Sequence, residues 1–179
     1  MNNNNPIRIL IVDDHPVVRE GLAVLIERRE DMTVVGEASN GREAIEQFRR
    51  FTPDVTLLDL RMPEVDGITA IAGIREQAPT ARIIVLTCYD SDEDIYRGLR
   101  AGAKAYLLKA TPRQELLDTI RAVHAGQTRI PPDVAAYPAR PHLPHAATVR
   151  IHANLDPIVA RDHPDADDPG VIAGCRAGW

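Results

Sequence analysis

The chain has 179 residues, 44% of them hydrophobic, and a formal net charge of -5. The apolar content suffices for one substantial core, and the negative balance argues against a broad surface for nucleic acid or membrane. Only Cys88 and Cys175 could form a disulfide, Met1 to Pro6 has no signal-peptide character, and no apolar run matches a bilayer span, so a soluble cytoplasmic protein is expected. Along the chain, short β-branched runs alternate with longer amphipathic ones up to about residue 126. The pattern predicts strands near 7–13, 33–37, 54–59, 82–87 and 104–108. Helices are predicted near 16–29, 41–51, 67–77, 92–101 and 112–125. In the first helix Val17, Val18, Leu22, Leu25 and Ile26 recur at helical spacing, with Arg19, Glu20, Glu27 and Arg28 on the other side. In the last, Leu116, Leu117, Ile120 and Val123 repeat the pattern, and Gly126 stands as the stop signal.

Strands alternating with helices of this length predict right-handed βαβ units, and hence an α/β fold with a doubly wound parallel sheet. The first, third and fourth strands are almost wholly apolar, as strands covered on both faces must be. In such sheets ligands bind beyond the carboxyl ends of the strands, where the strand order reverses.

Polar residues sit at those ends. Asp13 and Asp14 follow the first strand, Asp59 closes the third, Thr87 the fourth, and Lys109 follows the fifth. If the first and third strands are neighbours, three carboxylates converge, and they cannot all ionise cheaply without a cation. A carboxylate set of that kind suits Mg²⁺, which keeps several waters and takes hard oxygen ligands. Lys109 adds a point charge and Thr87 a hydroxyl, and together they equip the edge for phosphoryl transfer to Asp59 as nucleophile. Taken singly, each residue has a blander explanation. Asp14 before His15-Pro16 reads as a helix cap, Asp66-Gly67 as turn chemistry, Tyr106 as packing, Cys88 as a small filler, and His15 as a cap neighbour or surface group.

The stretches Ile9 to Leu22, containing Asp13-Asp14-His15-Pro16, Asp54 to Pro63 around Asp59, and Ala101 to Lys109 resemble a bacterial response-regulator receiver domain. The likeness is greatest to the NarL/FixJ (LuxR-type) group, and it covers about 7–126 in order. It implies a flavodoxin-like five-stranded sheet in the order 2-1-3-4-5. It also implies that Asp59 accepts phosphate from the phosphohistidine of a sensor histidine kinase. Asp14 would bind Mg²⁺ directly and Asp13 largely through water, with the Arg61 backbone carbonyl completing the protein ligands. Thr87 and Tyr106 would form a switch pair acting on the face of the fourth helix, fifth strand and fifth helix, with homodimerisation a possible output. Ala110 departs from the proline common after the lysine, and Cys88 fits a position that is small in the family. The resemblance implies a signalling module, not a metabolic enzyme. A true phosphatase or hydrolase using the same carboxylates, as haloacid-dehalogenase-like enzymes do, places an acid two residues after the nucleophile, where this chain has Arg61.

Residues 1–6 are expected to be disordered and 7–126 to form the receiver. The segment 127–179 differs in kind. Eight prolines from Pro131 to Pro169 interrupt it, and from 131 onward Arg140, Arg150, Arg161 and Arg176 face six aspartates. It reads as a linker and poorly ordered tail, net negative, where the resemblance would place a DNA-binding helix-turn-helix. Such an abrupt change is what a frameshift in a GC-rich gene would produce, and a helix-turn-helix encoded just downstream in another frame would support that reading. The alternative is an active DNA-binding regulator with a divergent helix-turn-helix. His142, His145, His152 and His163 match no zinc-binding spacing.

Overall fold

The structure, a computed structural model, describes residues 5–88 and 92–130. The expectations for the tail, its histidines and its prolines, and for residues 1–4, lie outside the described residues. The strands are β1 (Ile7–Val12), β2 (Met32–Ala38), β3 (Val55–Leu58), β4 (Ile83–Thr87) and β5 (Ala105–Leu108). The helices are α1 (Pro16–Glu27), α2 (Gly41–Phe51), α3 (Gly67–Gln77), α4 (Asp92–Ala101) and α5 (Arg113–His124). All strand pairs are parallel, in the order β2-β1-β3-β4-β5, so the fold is the expected flavodoxin-like α/β sheet.

The period of two along each strand divides the core. Ile7, Ile9 and Ile11 of β1, with Val55, Leu57, Ile84 and Leu86, meet α1 through Val18, Leu22, Leu25 and Ile26 and α5 through Leu116, Leu117, Ile120 and Val123. Leu10, Val12, Leu58, Ile83, Val85 and Tyr106 face the other way, against Ala44 and Phe48 of α2, Ala70, Ile71 and Ile74 of α3 and Ile95 of α4. Covering both faces explains why the inner strands carry so few polar residues.

Local chemistry sets the ends of the helices. Asn40 caps α2 by accepting from Glu43 N–H, and Asp66 caps α3 by accepting from Thr69 N–H at 2.7 Å. Helix α5 ends on Gly126, with φ of 87°, while Gln127 N–H donates to Ala122 O and Gly126 N–H to Val123 O. That pair of bonds is a Schellman closure, and it needs the left-handed conformation that glycine adopts freely.

Strands β1 and β3 are shorter than the sequence predicts, each stopping just before its acid. The Asp13 amide still donates to Ala38 O of β2, but its carbonyl has left the ladder and accepts from the Arg19 guanidinium at 2.6 Å. Asp59 likewise keeps its amide on Val12 O. Each acid is therefore fastened to the sheet by its N–H while the chain behind it turns away.

Candidate functional site

Because β1 lies between β2 and β3, and β3 beside β4, the ends of β1 and β3 release Asp13 and Asp59 side by side. Lys109, just past β5, reaches back between them. Its Nζ is 2.6 Å from Asp13 Oδ2 and 2.6 Å from Asp59 Oδ2, and all three residues are at least 96% buried. The Lys109 amide donates to Thr87 O at 2.8 Å, which registers the end of β5 against the end of β4.

Among the described residues, the bond that Asp59 Oδ1 accepts is a long one, 3.3 Å from the Arg61 amide. Asp13 Oδ1 accepts the His15 amide at 2.9 Å. Asp14 Oδ1 is buried yet accepts no hydrogen bond. One potential ligand atom from each of Asp13, Asp14, His15 and Asp59 lies within 4.8 Å of the others. Three carboxylates gathered at one edge, one of their buried oxygens outside any hydrogen bond, are matched chemically to a hard divalent cation, so the residues present fit Mg²⁺.

The electrostatics are those of a strained buried cluster. Burial raises the pKa of Asp59 above the ordinary carboxylate range, and the neighbouring Asp13 adds to the rise; the bond to Lys109 opposes it without prevailing. For Lys109, burial pulls the ammonium down, but hydrogen bonds to Asp13 and Asp59 outweigh it and leave the pKa raised. One lysine is shared by two acids, which is why it stays charged and yet does not bring Asp59 into the ordinary range.

The structure thus brings Asp13, Asp14, Asp59 and Lys109 together. Thr87 is buried at the neighbouring strand end, and Tyr106 is buried on the α3 and α4 side of the sheet. Cys88 is half-buried directly after Thr87. Arg61 turns its side chain away from the cluster to pair with Asp94 of α4 at 3.0 Å.

Three contributors escaped the sequence reading. The His15 ring lies against the acids, with Nδ1 2.8 Å from Asp14 Oδ1, although its side chain is half exposed. The Arg19 guanidinium holds the Asp13 carbonyl. A methyl group on Gly67 would collide with the Asp59 carbonyl oxygen and Leu60 Cα, so only glycine lets α3 start this close to the acid. The dipeptide Asp66-Gly67 announced a turn, but nothing in it announced what the turn packs against.

A doubly wound sheet with acids, a lysine and a hydroxyl at its carboxyl edge places a charged, oxygen-rich pocket where such sheets bind their ligands. The family described as "Response regulator receiver domain" matches residues 9–121. The chain is 45% identical over 127 residues to the transcriptional regulatory protein YdfI of Bacillus subtilis, and 41% identical over 127 residues to the nitrate/nitrite response regulator protein NarL of Escherichia coli. Each match covers 71% of this chain and 59% of the relative, so the chain spans less than two thirds of their length. Among solved structures, it resembles a LuxR-family two-component response regulator from Aurantimonas, with a TM-score of 0.69, 40% identity, and coverage of 73% of this chain and 94% of that one. It also resembles the isolated receiver domain of RcsB from Salmonella enterica with the phosphomimetic BeF3-, with a TM-score of 0.66, 30% identity, and coverage of 73% and 97%. The chain belongs to the response regulator receiver family, in its NarL/FixJ (LuxR-type) branch. It carries the acidic pocket typical of Mg²⁺-dependent receivers. Among the described residues no helix is long and apolar enough to cross a membrane.

Proposed function

We propose that Asp59 is the phosphoacceptor of a two-component phosphorelay. The observation that carries this reading is the setting of its carboxylate: Oδ2 is held by Lys109 at 2.6 Å, and the group lies in one cluster with Asp13, Asp14 and His15, ligand atoms within 4.8 Å of one another. An Asp59 oxygen attacks the phosphorus of a phosphohistidine on a sensor kinase. A P–O bond forms, the P–N bond breaks, and the leaving imidazole retains the electron pair and takes up a proton. Asp13, Asp14, Asp59 and the Arg61 carbonyl would hold Mg²⁺, which supplies charge neutralisation for the phosphoryl oxygens. Lys109 is placed to follow the new charge, because its ammonium already lies against the Asp59 carboxylate. Thr87 and Tyr106 act as the switch pair toward the face built by α4, β5 and α5. Tyr106 is packed inward with Val85 and Ile95 in this structure.

In this reading residues 7–126 are the receiver, 127–179 a linker and tail, and the protein works in the cytoplasm, with homodimerisation as an output. A second reading, DNA binding by the full chain, draws on relatives named as transcriptional regulators. It predicts salt-dependent binding lost on removing residues after about 130.

Intact-mass spectrometry after treatment with acetyl phosphate tests the acceptor. One phosphoryl adduct is expected on the wild type with Mg²⁺, and none without it or on Asp59→Asn. Equal labelling of Asp59→Asn would overturn the assignment.

A further inference from the structure

Arg19 stands where a helix gives a cation no welcome. It lies in the opening turn of α1, at the positive end of the helix dipole, and that turn holds no acid to offset it. Yet its side chain is only 18% exposed, folded against the end of the sheet instead of reaching into solvent. Something other than helix stability keeps it there.

Two partners compete for the explanation. Nε lies 3.5 Å from Glu37 Oε2 at the end of β2, but that carboxylate is 46% exposed, and so loose a pair contributes little. The other contact is the short one: a guanidinium nitrogen donates to the Asp13 carbonyl at 2.6 Å, a charge-assisted bond to a backbone group that has left the strand ladder. That carbonyl belongs to the peptide joining Asp13 to Asp14, so one bond sets the plane between two acids of the pocket. On the near side, the Asp13 amide is tied to Ala38 O at 3.1 Å, and its Oδ1 accepts the His15 amide at 2.9 Å. On the far side, Asp14 Oδ1 accepts no hydrogen bond. Rotation of the 13–14 peptide would leave Asp13 on the sheet and swing Asp14 out of the cluster, whose ligand atoms stand within 4.8 Å of one another. Arg19 opposes that rotation.

We infer that Arg19 is a positioning residue for cation binding: through the Asp13 carbonyl it holds the two acids after β1 in the arrangement that accepts a divalent ion, without touching the ion. The inference rests on the phosphoacceptor reading, which supplies the cation. Groups that hold metal ligands in place from behind govern affinity by about tenfold or more. The effect falls on binding, since Asp59 and Lys109 stand at the ends of β3 and β5 and keep their own contact at 2.6 Å.

The test titrates the full chain with Mn²⁺, follows the paramagnetic resonance signal of the free ion, and then displaces Mn²⁺ with Mg²⁺. Arg19→Met keeps the length and loses the donor, and it should bind both ions at least about tenfold more weakly. Arg19→Lys restores a cationic donor and should return to within about threefold of wild type, while Glu37→Gln should bind as the wild type does. At saturating Mg²⁺, labelling of Arg19→Met by acetyl phosphate should recover to within about threefold of the wild-type rate, which separates lost positioning from general damage. Urea unfolding checks that each variant is folded, and Arg19→Gln replaces a methionine variant that is not. Wild-type affinity in the variant without the donor overturns the inference and leaves the phosphoacceptor reading standing. A lysine variant as weak as the methionine one, or a labelling deficit that saturating Mg²⁺ does not relieve, overturns it in the same way. Failure of the wild type to bind Mg²⁺ or Mn²⁺ at all overturns the cation pocket itself, and with it both proposals.

Discussion

Lys109 Nζ lies 2.6 Å from Asp59 Oδ2 with both groups sealed from solvent, so the ends of β5 and β3 are joined by a buried charge pair. Removing the lysine leaves Asp13 and Asp59 facing each other without their cation. Lys109→Met should therefore cost about 3–5 kcal/mol in metal-free buffer, and Mg²⁺ should restore part of it. Urea unfolding with and without Mg²⁺ measures both. A variant as stable as the wild type without metal would show that the pair contributes nothing structural.

Asp59 itself is held at a cost. The pKa of Asp59 is raised by burial, so the stability associated with its protonated form is present below its unfolded pKa and is lost as pH rises through the higher folded value. Asp59→Asn cannot ionise and should escape that loss. In metal-free unfolding experiments its stability relative to wild type should improve as pH rises from acid toward neutral. A constant difference across that range would contradict the argument.

On the opposite side of the fold, Arg121 of α5 holds Asp31, with its Nε 2.7 Å from Asp31 Oδ2. The hydrogen bond to Arg121 lowers the Asp31 pKa. Its contribution is thus present above the unfolded pKa and disappears as pH falls through the lower folded value. Both side chains are 38% exposed, so solvent screening limits Asp31→Asn to a loss of at most about 1 kcal/mol at neutral pH. Thermal melts should show the gap closing in strong acid.

Gly67→Ala should be costly out of proportion to one methyl group. The added carbon meets backbone atoms of Asp59 and Leu60, which cannot yield without moving Asp59. A loss of about 1–3 kcal/mol is expected, together with slower labelling by acetyl phosphate. A stable variant labelled at the wild-type rate would show that α3 can shift independently of the acid.

Thr56 offers the opposite outcome. It is fully buried in β3, on the same face as Leu58, and its hydroxyl finds no hydrogen-bond partner. Thr56→Val keeps the shape, removes the unsatisfied group, and should raise stability by about 1 kcal/mol in chemical unfolding without affecting phosphoryl acceptance. A drop in stability would mean that the hydroxyl is satisfied in solution.

The local pattern determined the elements of this fold. Apolar runs that alternate with helical periods are enough to place each strand and helix within a residue or two, because burial on both faces leaves the inner strands no room for polar side chains. The acids, Thr87 and Lys109 were legible for the same reason, since a polar residue at the end of such a run has no packing purpose. Even the stop of α5 at Gly126 was written locally, in a residue free to turn left-handed.

Tertiary structure decided who meets whom. That one lysine serves both Asp13 and Asp59 depends on how far a side chain past β5 reaches across β4, a distance that no local pattern encodes. His15 looked like a cap neighbour because Pro16 follows it; only the turn closed by Asp13 aims its ring at the acids. Gly67 looked like turn chemistry, and only the packing of α3 against the backbone of Asp59 and Leu60 shows why a side chain is excluded there. Periodicity follows from each residue's own neighbours in the chain, whereas the site is made of distances between strand ends, which exist only once the sheet has closed.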